Sequence, residues 1–138
     1  MTPMPIPTLP PPRPAGPVSV EEALHRRRSR RDFSGAPLSP ADLGQLLWAT
    51  HGVTGPDGRR TAPTAGNTSP HEVYAVTPDG AFAYDGAEHR LVEVDPADLR
   101  APLRAVTRDD DHLLRAGAVI VLAAVAARTA GRYPERAD

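Results

Sequence analysis

The distribution of proline places the strongest constraint on what this chain can fold into. Eight of its 17 prolines fall within the first 17 residues. Proline fixes φ and removes a backbone donor, so this segment cannot join a helix interior or a central strand. It favours extended polyproline II geometry and is typical of a stiff or disordered leader, with a ligand for an SH3-like module as the alternative. We therefore predict a proline-rich disordered leader over residues 1–17 and a folded domain over residues 18–138.

The composition of the 138-residue chain supports a hydrophobic core and excludes several chemistries. Hydrophobic residues make up 40% of the chain and aromatic residues only 4%, so the core must consist mainly of Ala, Val and Leu. The absence of cysteine and lysine excludes thiolate catalysis, disulfides and Schiff-base chemistry. A net charge of −1 argues against a general nucleic-acid or membrane-surface binder. With no targeting segment and no apolar stretch long enough to span a bilayer, we predict a cytoplasmic protein.

Two helix starts are marked by capping residues. Ser19 and Glu22 form the pattern of a capping box, which predicts a short helix. Ser39 followed by Pro40 is a second N-cap with proline at the first helical position, and Gly52 is placed where a left-handed C-cap would end that helix. The spacing puts three leucines on one face of this second helix: Leu43, Leu46 and Leu47.

Extended segments dominate the second half of the chain. Alternation and turn residues predict three strands, at residues 72–77, 81–84 and 90–94, the first two joined by a tight turn. Asp95 and Pro96 repeat the cap-and-proline signature, which predicts a helix through Leu99 and Leu103. The continuous apolar run at residues 119–125 is typical of a central strand covered on both faces. Together these elements predict an α+β class.

The densest charged feature is a run of arginines between His25 and Phe33. It places five arginines and one serine within the six residues 26–31. Guanidinium groups match phosphate oxygens in a bidentate geometry, so the run predicts an anion site. A solvated basic turn and a nucleic-acid patch are the alternatives.

A second feature is the loop of small and polar residues from Pro63 to Pro70. Small residues let the backbone approach a flat ligand closely, and Asn67 offers both a donor and an acceptor. A predicted strand follows at once and would anchor the loop. Taken alone, the loop has an ordinary composition.

Together the two features resemble the nitroreductase superfamily of FMN enzymes. The sequence Arg-Arg-Ser-Arg-Arg-Asp-Phe at 27–33 is similar to the family pattern R-R-S-x-R-x-F. It is followed by Pro-Leu-Ser at 37–39 and by the helix that ends Leu-Leu-Trp-Ala at 46–49. Residues 63–70 resemble the flavin-contacting loop P-S-A-x-N-x-Q-P, with Thr64 and Ser69 departing from the usual residues, as does His71 directly after the loop. Glu72-Val73-Tyr74 is similar to the SagB-type branch, the azoline- and thiazole-forming dehydrogenases.

The resemblance implies a three-layer α/β arrangement of the α+β class, with a central sheet flanked by helices, and FMN bound non-covalently. The residues that would bind the cofactor are Arg27, Arg28, Ser29 and Arg31 for the phosphate and ribityl chain, and Pro63, Thr64, Ala65, Gly66 and Asn67 for the isoalloxazine. Hydride passes through the flavin in this family, so no catalytic side chain is assigned.

The resemblance also implies partners. The family's domain continues past the position of Asp138, so the chain resembles the N-terminal portion of that domain. We expect a homodimer or completion by a partner chain, with NAD(P)H as a candidate electron donor. The substrate would be an azoline-containing peptide, a nitro compound or a quinone. The alternative is a truncated remnant or partner subunit with weak or no flavin binding.

The histidines and acidic residues indicate no metal site. The five histidines are scattered, without the spacing of paired metal ligands, and His89 fits a structural position before a strand. The run Asp109-Asp110-Asp111-His112 is more typical of a solvated helix start than of a cation site.

Overall fold

The computed structural model describes residues 6–107 and 111–134, which form an α+β fold. The elements in chain order are α1 (Val20–Arg26), α2 (Pro40–His51), a 3₁₀ turn (Ala65–Asn67), β1 (His71–Thr77), β2 (Gly80–Asp85), β3 (Arg90–Asp95), α3 (Arg100–Val106), α4 (His112–Arg115), β4 (Val119–Ala124) and α5 (Ala126–Ala130). The predicted class is confirmed, and the three predicted strands each lie within one residue of the observed bounds.

The four strands form one antiparallel sheet in the order β3-β2-β1-β4. The prediction of a central strand at residues 119–125 is therefore wrong, because β4 lies at the edge of the described sheet. Leu122 on β4 is 55% exposed, and the strand's continuous apolar run does not reflect burial on both faces here. On the sheet face opposite α2, Val92 and Val94 are also exposed.

Helix α2 provides the main cover of the sheet. The Ser39 hydroxyl accepts from the Asp42 amide at 3.1 Å, and Pro40 occupies the first turn as predicted. Leu43 and Leu47 are buried against the sheet, whereas Leu46 is 47% exposed. The predicted face was therefore one residue too wide. The residues that α2 meets in the core are Val73, Ala75, Phe82 and Leu91.

Gly52 ends α2 for a different reason from the one predicted. Its φ of −71° and ψ of 155° are extended, so a left-handed conformation is not what selects glycine. A Cβ at this position would instead collide with the indole ring of Trp48. The glycine is needed for close approach of that ring to the chain.

The proline-rich residues 6–13, here called the proline strap, lie against the fold, which corrects the prediction of a disordered leader for these residues. Leu9 is 7% exposed and belongs to the core cluster. The Gln45 side chain on α2 accepts from the Arg13 amide at 2.8 Å and donates to the Arg13 carbonyl at 3.1 Å. His89 Nε2 lies 2.9 Å from the Pro10 carbonyl. Proline removes backbone donors, but it leaves carbonyls and neighbouring side chains free to pack.

Two helix starts differ in detail from their predictions. The Ser19 hydroxyl accepts from the Glu22 amide at 3.1 Å, but the Glu22 carboxylate pairs with Arg26. Helix α3 begins at Arg100, later than the Asp95-Pro96 signature predicts. Asp95 accepts from the Ala97 amide two residues on, so the signature there forms a turn.

Candidate functional site

The loop of residues 63–70 is held in an unusual backbone conformation. Its turn contains Gly66 with φ 60° and Asn67 with φ 54°, and Ser69 has φ 43°. Left-handed backbone is rare outside glycine and costs free energy, so it persists where surrounding structure enforces it. The Thr64 hydroxyl accepts from the Ser69 amide at 3.1 Å, closing the loop. The threonine hydroxyl thus has a structural role within the loop.

The segment that follows β4 fixes this loop from outside. The Val125 amide donates to the Pro70 carbonyl at 2.7 Å, and an Arg128 guanidinium nitrogen donates to the Ser69 carbonyl at 3.3 Å. Tyr133 packs so closely that a Cβ at Gly66 would lie 2.7 Å from its hydroxyl. These contacts explain why residue 66 has no side chain, and they make the loop a preformed surface.

A cleft of about 520 Å³ opens beside the loop, here called the loop cleft. The predicted residues Pro63, Thr64 and Asn67 line it, together with Arg59 and Arg60. The volume is within the range of small-molecule and cofactor sites. The structure therefore places these three predicted residues on one cavity wall, with Ala65 and Gly66 in the turn between Thr64 and Asn67.

The four predicted phosphate ligands, Arg27, Arg28, Ser29 and Arg31, lie in an exposed stretch, residues 14–38, here called the arginine segment. Arg28 donates to the carbonyls of His25 and Arg27 at 2.9 and 2.7 Å, which curls the chain at the end of α1. Among the described residues, no carboxylate pairs with Arg27, Arg28 or Arg31. The arginine segment and the loop of residues 63–70 are thus both accessible, but no hydrogen bond of the described residues connects them.

A second cleft, of about 340 Å³, lies where β1 and β2 separate; we call it the histidine cleft. Pairing of β1 with β2 ends at Tyr74↔Ala83, whereas pairing of β1 with β4 continues to His71↔Ala124. Residues 71–74 form one wall and residues 83–86 the other, and the lining is completed by His51, Arg60, Ser69 and Arg128. Sequence reasoning missed this site, because its residues come from five separate parts of the chain and match no spacing pattern.

The electrostatics of the histidine cleft are distinctive. Burial, with the charge of Arg60 and the neighbouring His71, lowers the pKa of His51. A hydrogen bond from Tyr74 at 2.8 Å and the Arg128 guanidinium at 2.6 Å lower the pKa of Glu72. Burial raises the pKa of Tyr84 to about 12, so this phenol stays protonated. The cleft therefore holds a neutral imidazole beside an ionised, already paired carboxylate.

The remaining candidates add no metal site in the part of the chain that the structure describes. No cluster of three or more histidine, cysteine or acidic side chains occurs there, while Asp109 and Asp110 of the acidic run lie outside the described residues. His89 uses both ring nitrogens structurally: Nε2 donates to the Pro10 carbonyl at 2.9 Å, and Nδ1 lies 2.8 Å from the Tyr84 hydroxyl. Within the same ranges, none of the helices has the length and apolar character needed to cross a membrane.

Comparisons with known proteins agree on one family. Residues 24–138 match the family model described as "Nitroreductase family". The chain is 30% identical over 125 residues to the protein named "Putative nitroreductase MJ1384" of Methanocaldococcus jannaschii, covering 86% of this chain and 63% of that protein.

Two crystal structures resemble the fold. One, described as a putative nitroreductase from Ralstonia eutropha JMP134, has a TM-score of 0.77 and 32% identity, covering 95% of this chain and 59% of that one. The other, described as a putative nitroreductase from Anabaena variabilis ATCC 29413, has a TM-score of 0.61 and 30% identity, covering 69% and 22%. The chain thus spans about three fifths of the first structure's length.

Proposed function

The chain belongs to the nitroreductase family, and from that premise we propose that it is the N-terminal part of an FMN-dependent oxidoreductase. The observation that carries the proposal is the preformed loop at residues 63–70, which borders a cofactor-sized cleft. When bound, FMN would supply hydride transfer through its N5 atom. The side chains described below bind and orient the cofactor, and none is assigned a chemical step.

The loop fits the flat part of such a cofactor. Its small residues leave the backbone open, and Thr64 and Asn67 line the cleft with polar groups. Because the loop is fixed by Arg128 and by the Val125–Pro70 hydrogen bond, it would bind a planar ring with little loss of conformational freedom. Preorganisation is what a site that positions a reactive ring requires.

The arginine segment fits the phosphate end. Arg27 and Arg31 have no carboxylate partner among the described residues, so their charge is available to an anion. Charge-assisted hydrogen bonds to phosphate are among the stronger polar contacts in proteins. The Ser29 hydroxyl adds a donor within the same turn of chain.

For the substrate, we favour the SagB-type branch, in which the flavin oxidises azoline rings of a peptide. The support is Glu72-Val73-Tyr74, a stretch in which Tyr74 donates to Glu72 at 2.8 Å. Nitro compounds and quinones are the alternative substrates, and NAD(P)H is the candidate reductant for them. We further propose a cytoplasmic homodimer, or completion of the domain by a partner chain.

A second candidate is a partner subunit or remnant with weak flavin binding. Two observations favour it: Val92 and Val94 are exposed on the sheet face opposite α2, and the chain spans 63% of the relative's length. A chain of this kind would need another polypeptide to cover that face before it binds cofactor well.

The test is an FMN titration of the purified chain, followed by flavin fluorescence and sedimentation. We expect saturable FMN binding, and a loss of at least about tenfold in affinity for Arg31→Ala, since a charged phosphate contact contributes about 1.5–3 kcal/mol. Arg115→Ala is the matched control, because Arg115 is exposed on α4. Arg100 would be a poor control, because its side chain is 13% exposed and pairs with Asp98.

Two outcomes separate the candidates. Equal FMN affinity for the Arg31→Ala and Arg115→Ala variants would contradict the phosphate assignment. The second outcome is a folded wild-type chain that does not bind FMN by itself but binds it once the C-terminal part of a relative is added. That result would identify the chain as a subunit.

A further inference from the structure

The histidine cleft contains a buried polar atom that the fold itself leaves without a partner. His51 is 5% exposed, and its Nε2 forms no hydrogen bond with any described residue. An unsatisfied buried donor or acceptor costs about 1–3 kcal/mol, so its presence needs an explanation. His51 is a lining residue of the cleft, and its ring meets that of His71 edge-on, with ring centroids 5.6 Å apart.

Arg60 is built into the same cleft. Its NH1 donates to the His51 carbonyl at 2.9 Å, which fixes the guanidinium at the end of α2. A Cβ at Gly86 would lie 2.7 Å from that NH1 and 3.1 Å from the His51 carbonyl. Gly86 therefore provides the space in which the guanidinium lies.

The acidic residues of the cleft are already neutralised. Glu72 accepts from Arg128 and from Tyr74. Asp85 pairs with Arg90 at 3.2 Å and also accepts from the amides of Ala87 and Glu88. Arg60 has no carboxylate partner among the described residues, which leaves one positive charge uncompensated at the cleft.

We propose that the histidine cleft binds the carboxylate of a small organic molecule, through the Arg60 guanidinium and the Nε2–H of His51. A guanidinium matches the planar carboxylate with parallel donors. The single uncompensated charge of Arg60 suits a monoanion better than a phosphate dianion. The cleft's volume of about 340 Å³ and its Val73 and Ala83 walls accommodate a small organic body.

The position of Arg60 connects this cleft with the loop cleft, because this residue lines both. A carboxylate held there would place the rest of its molecule next to the loop of residues 63–70. Binding itself needs no flavin. The consequence that the enzyme's substrate carries a carboxylate rests on the proposed function.

The experiment is an NMR titration of the full wild-type chain with benzoate, without FMN, following the histidine ring nitrogens. We expect saturable shifts at His51 Nε2 and at His71, and none at His25, which is exposed on α1. Benzamide, which has the same ring but no charge, should shift none of them. Inorganic phosphate should not displace benzoate.

Variants locate the charge. Arg60→Gln should weaken benzoate binding at least tenfold, while Arg59→Gln, with the same loss of charge one residue away, should not change it. Arg59 is suited to this control because its side chain is 81% exposed and pairs with Asp57. If Arg60→Gln does not fold, the wild-type ring-nitrogen shifts decide the question alone.

Several results would overturn the assignment: no benzoate binding, equal shifts with benzamide, displacement by phosphate, or equal affinities of the folded Arg60→Gln and Arg59→Gln variants. Repeating the titration with FMN present separates the two proposals. Loss of flavin binding alone contradicts the proposed function and leaves the carboxylate site standing. Loss of benzoate binding alone contradicts the carboxylate site and leaves the proposed function standing.

Discussion

The proline strap and the arginine segment are neighbours in sequence, and both have compositions that do not suggest burial. In the strap, Leu9 is 7% exposed and lies in the core. In the arginine segment, every residue is exposed, including the apolar Val20 and Leu24 of α1, at 71% and 69%. Local composition therefore does not decide which segment packs.

The difference lies in the surface that receives each segment. Helix α2 offers the strap a groove: a Cβ at Gly44 would lie 3.3 Å from both Leu9 Cβ and His89 Nε2, and Gln45 bonds to the backbone of Arg13. The described residues offer α1 no comparable contact, and none of its residues is buried. Fold stability and the proposed phosphate binding thus depend on different parts of the N-terminal chain.

The largest expected difference in stability between the two segments comes from truncating one leucine in each. Leu9→Ala should lower the free energy of unfolding by about 2–5 kcal/mol, because it leaves a cavity in the core. Leu24→Ala is the matched control and should change it by less than about 0.5 kcal/mol, as is usual for exposed positions. Urea denaturation followed by circular dichroism measures both. Similar losses for the two variants would mean that the strap is not part of the stable fold.

A smaller effect comes from the two serine N-caps, which have the same geometry in different settings. Each hydroxyl accepts from the amide three residues on, at 3.1 Å in both helices. Ser39→Ala should cost about 1 kcal/mol, because α2 cannot fray without exposing Leu43 and Leu47. Ser19→Ala should cost much less, because α1 can unfold without exposing the core.

Thermal or urea unfolding of the two serine variants distinguishes the cases. A loss in Ser19→Ala as large as in Ser39→Ala would show that α1 is coupled to the domain. The contrast between the two segments would then disappear. Adding FMN sharpens the comparison, since a bound phosphate should increase the cost of Ser19→Ala.

Local signals predicted the elements of this fold well, because they act over a few residues. The cap at Ser39, the hairpin around residues 72–85 and the third strand all follow from such signals, and the structure confirms them. The edge position of β4 and the burial of Leu9 depend on which distant surfaces meet, and no local pattern encodes that. The helix signature at Asp95-Pro96 formed a turn instead, since Asp95 accepts from the nearby Ala97 amide.

The candidate site also has one part that a local motif encodes and another that depends on contacts between distant residues. Residues 63–67 are assigned to the flavin from a contiguous family motif, and that assignment stays a prediction; the structure shows that three of them line one cleft. The roles of Val125, Arg128 and Tyr133 in fixing that loop could not be predicted, since they act from some 60 residues away in sequence. The histidine cleft is lined by residues of α2, the segment between α2 and β1, the strands β1 and β2, and α5. Only the tertiary structure brings His51, Arg60 and His71 together.

The smallest predicted effect is a pH dependence of stability that belongs to the packed region alone. Because the pKa of His51 is lowered in the folded state, the unfolded chain binds the proton more readily once the pH falls below about 6.5. The free energy of unfolding should therefore be level above that pH and decline below it, by less than about 1.4 kcal/mol per pH unit, the limit for one proton.

His51→Gln should flatten the decline between its onset and the range where carboxylates titrate. His25→Gln, on the exposed α1, should keep it. Urea unfolding at closely spaced pH values measures the slopes. A decline that persists in His51→Gln but is absent in His25→Gln would mean that His25 is the titrating group. The arginine segment would then be coupled to the fold.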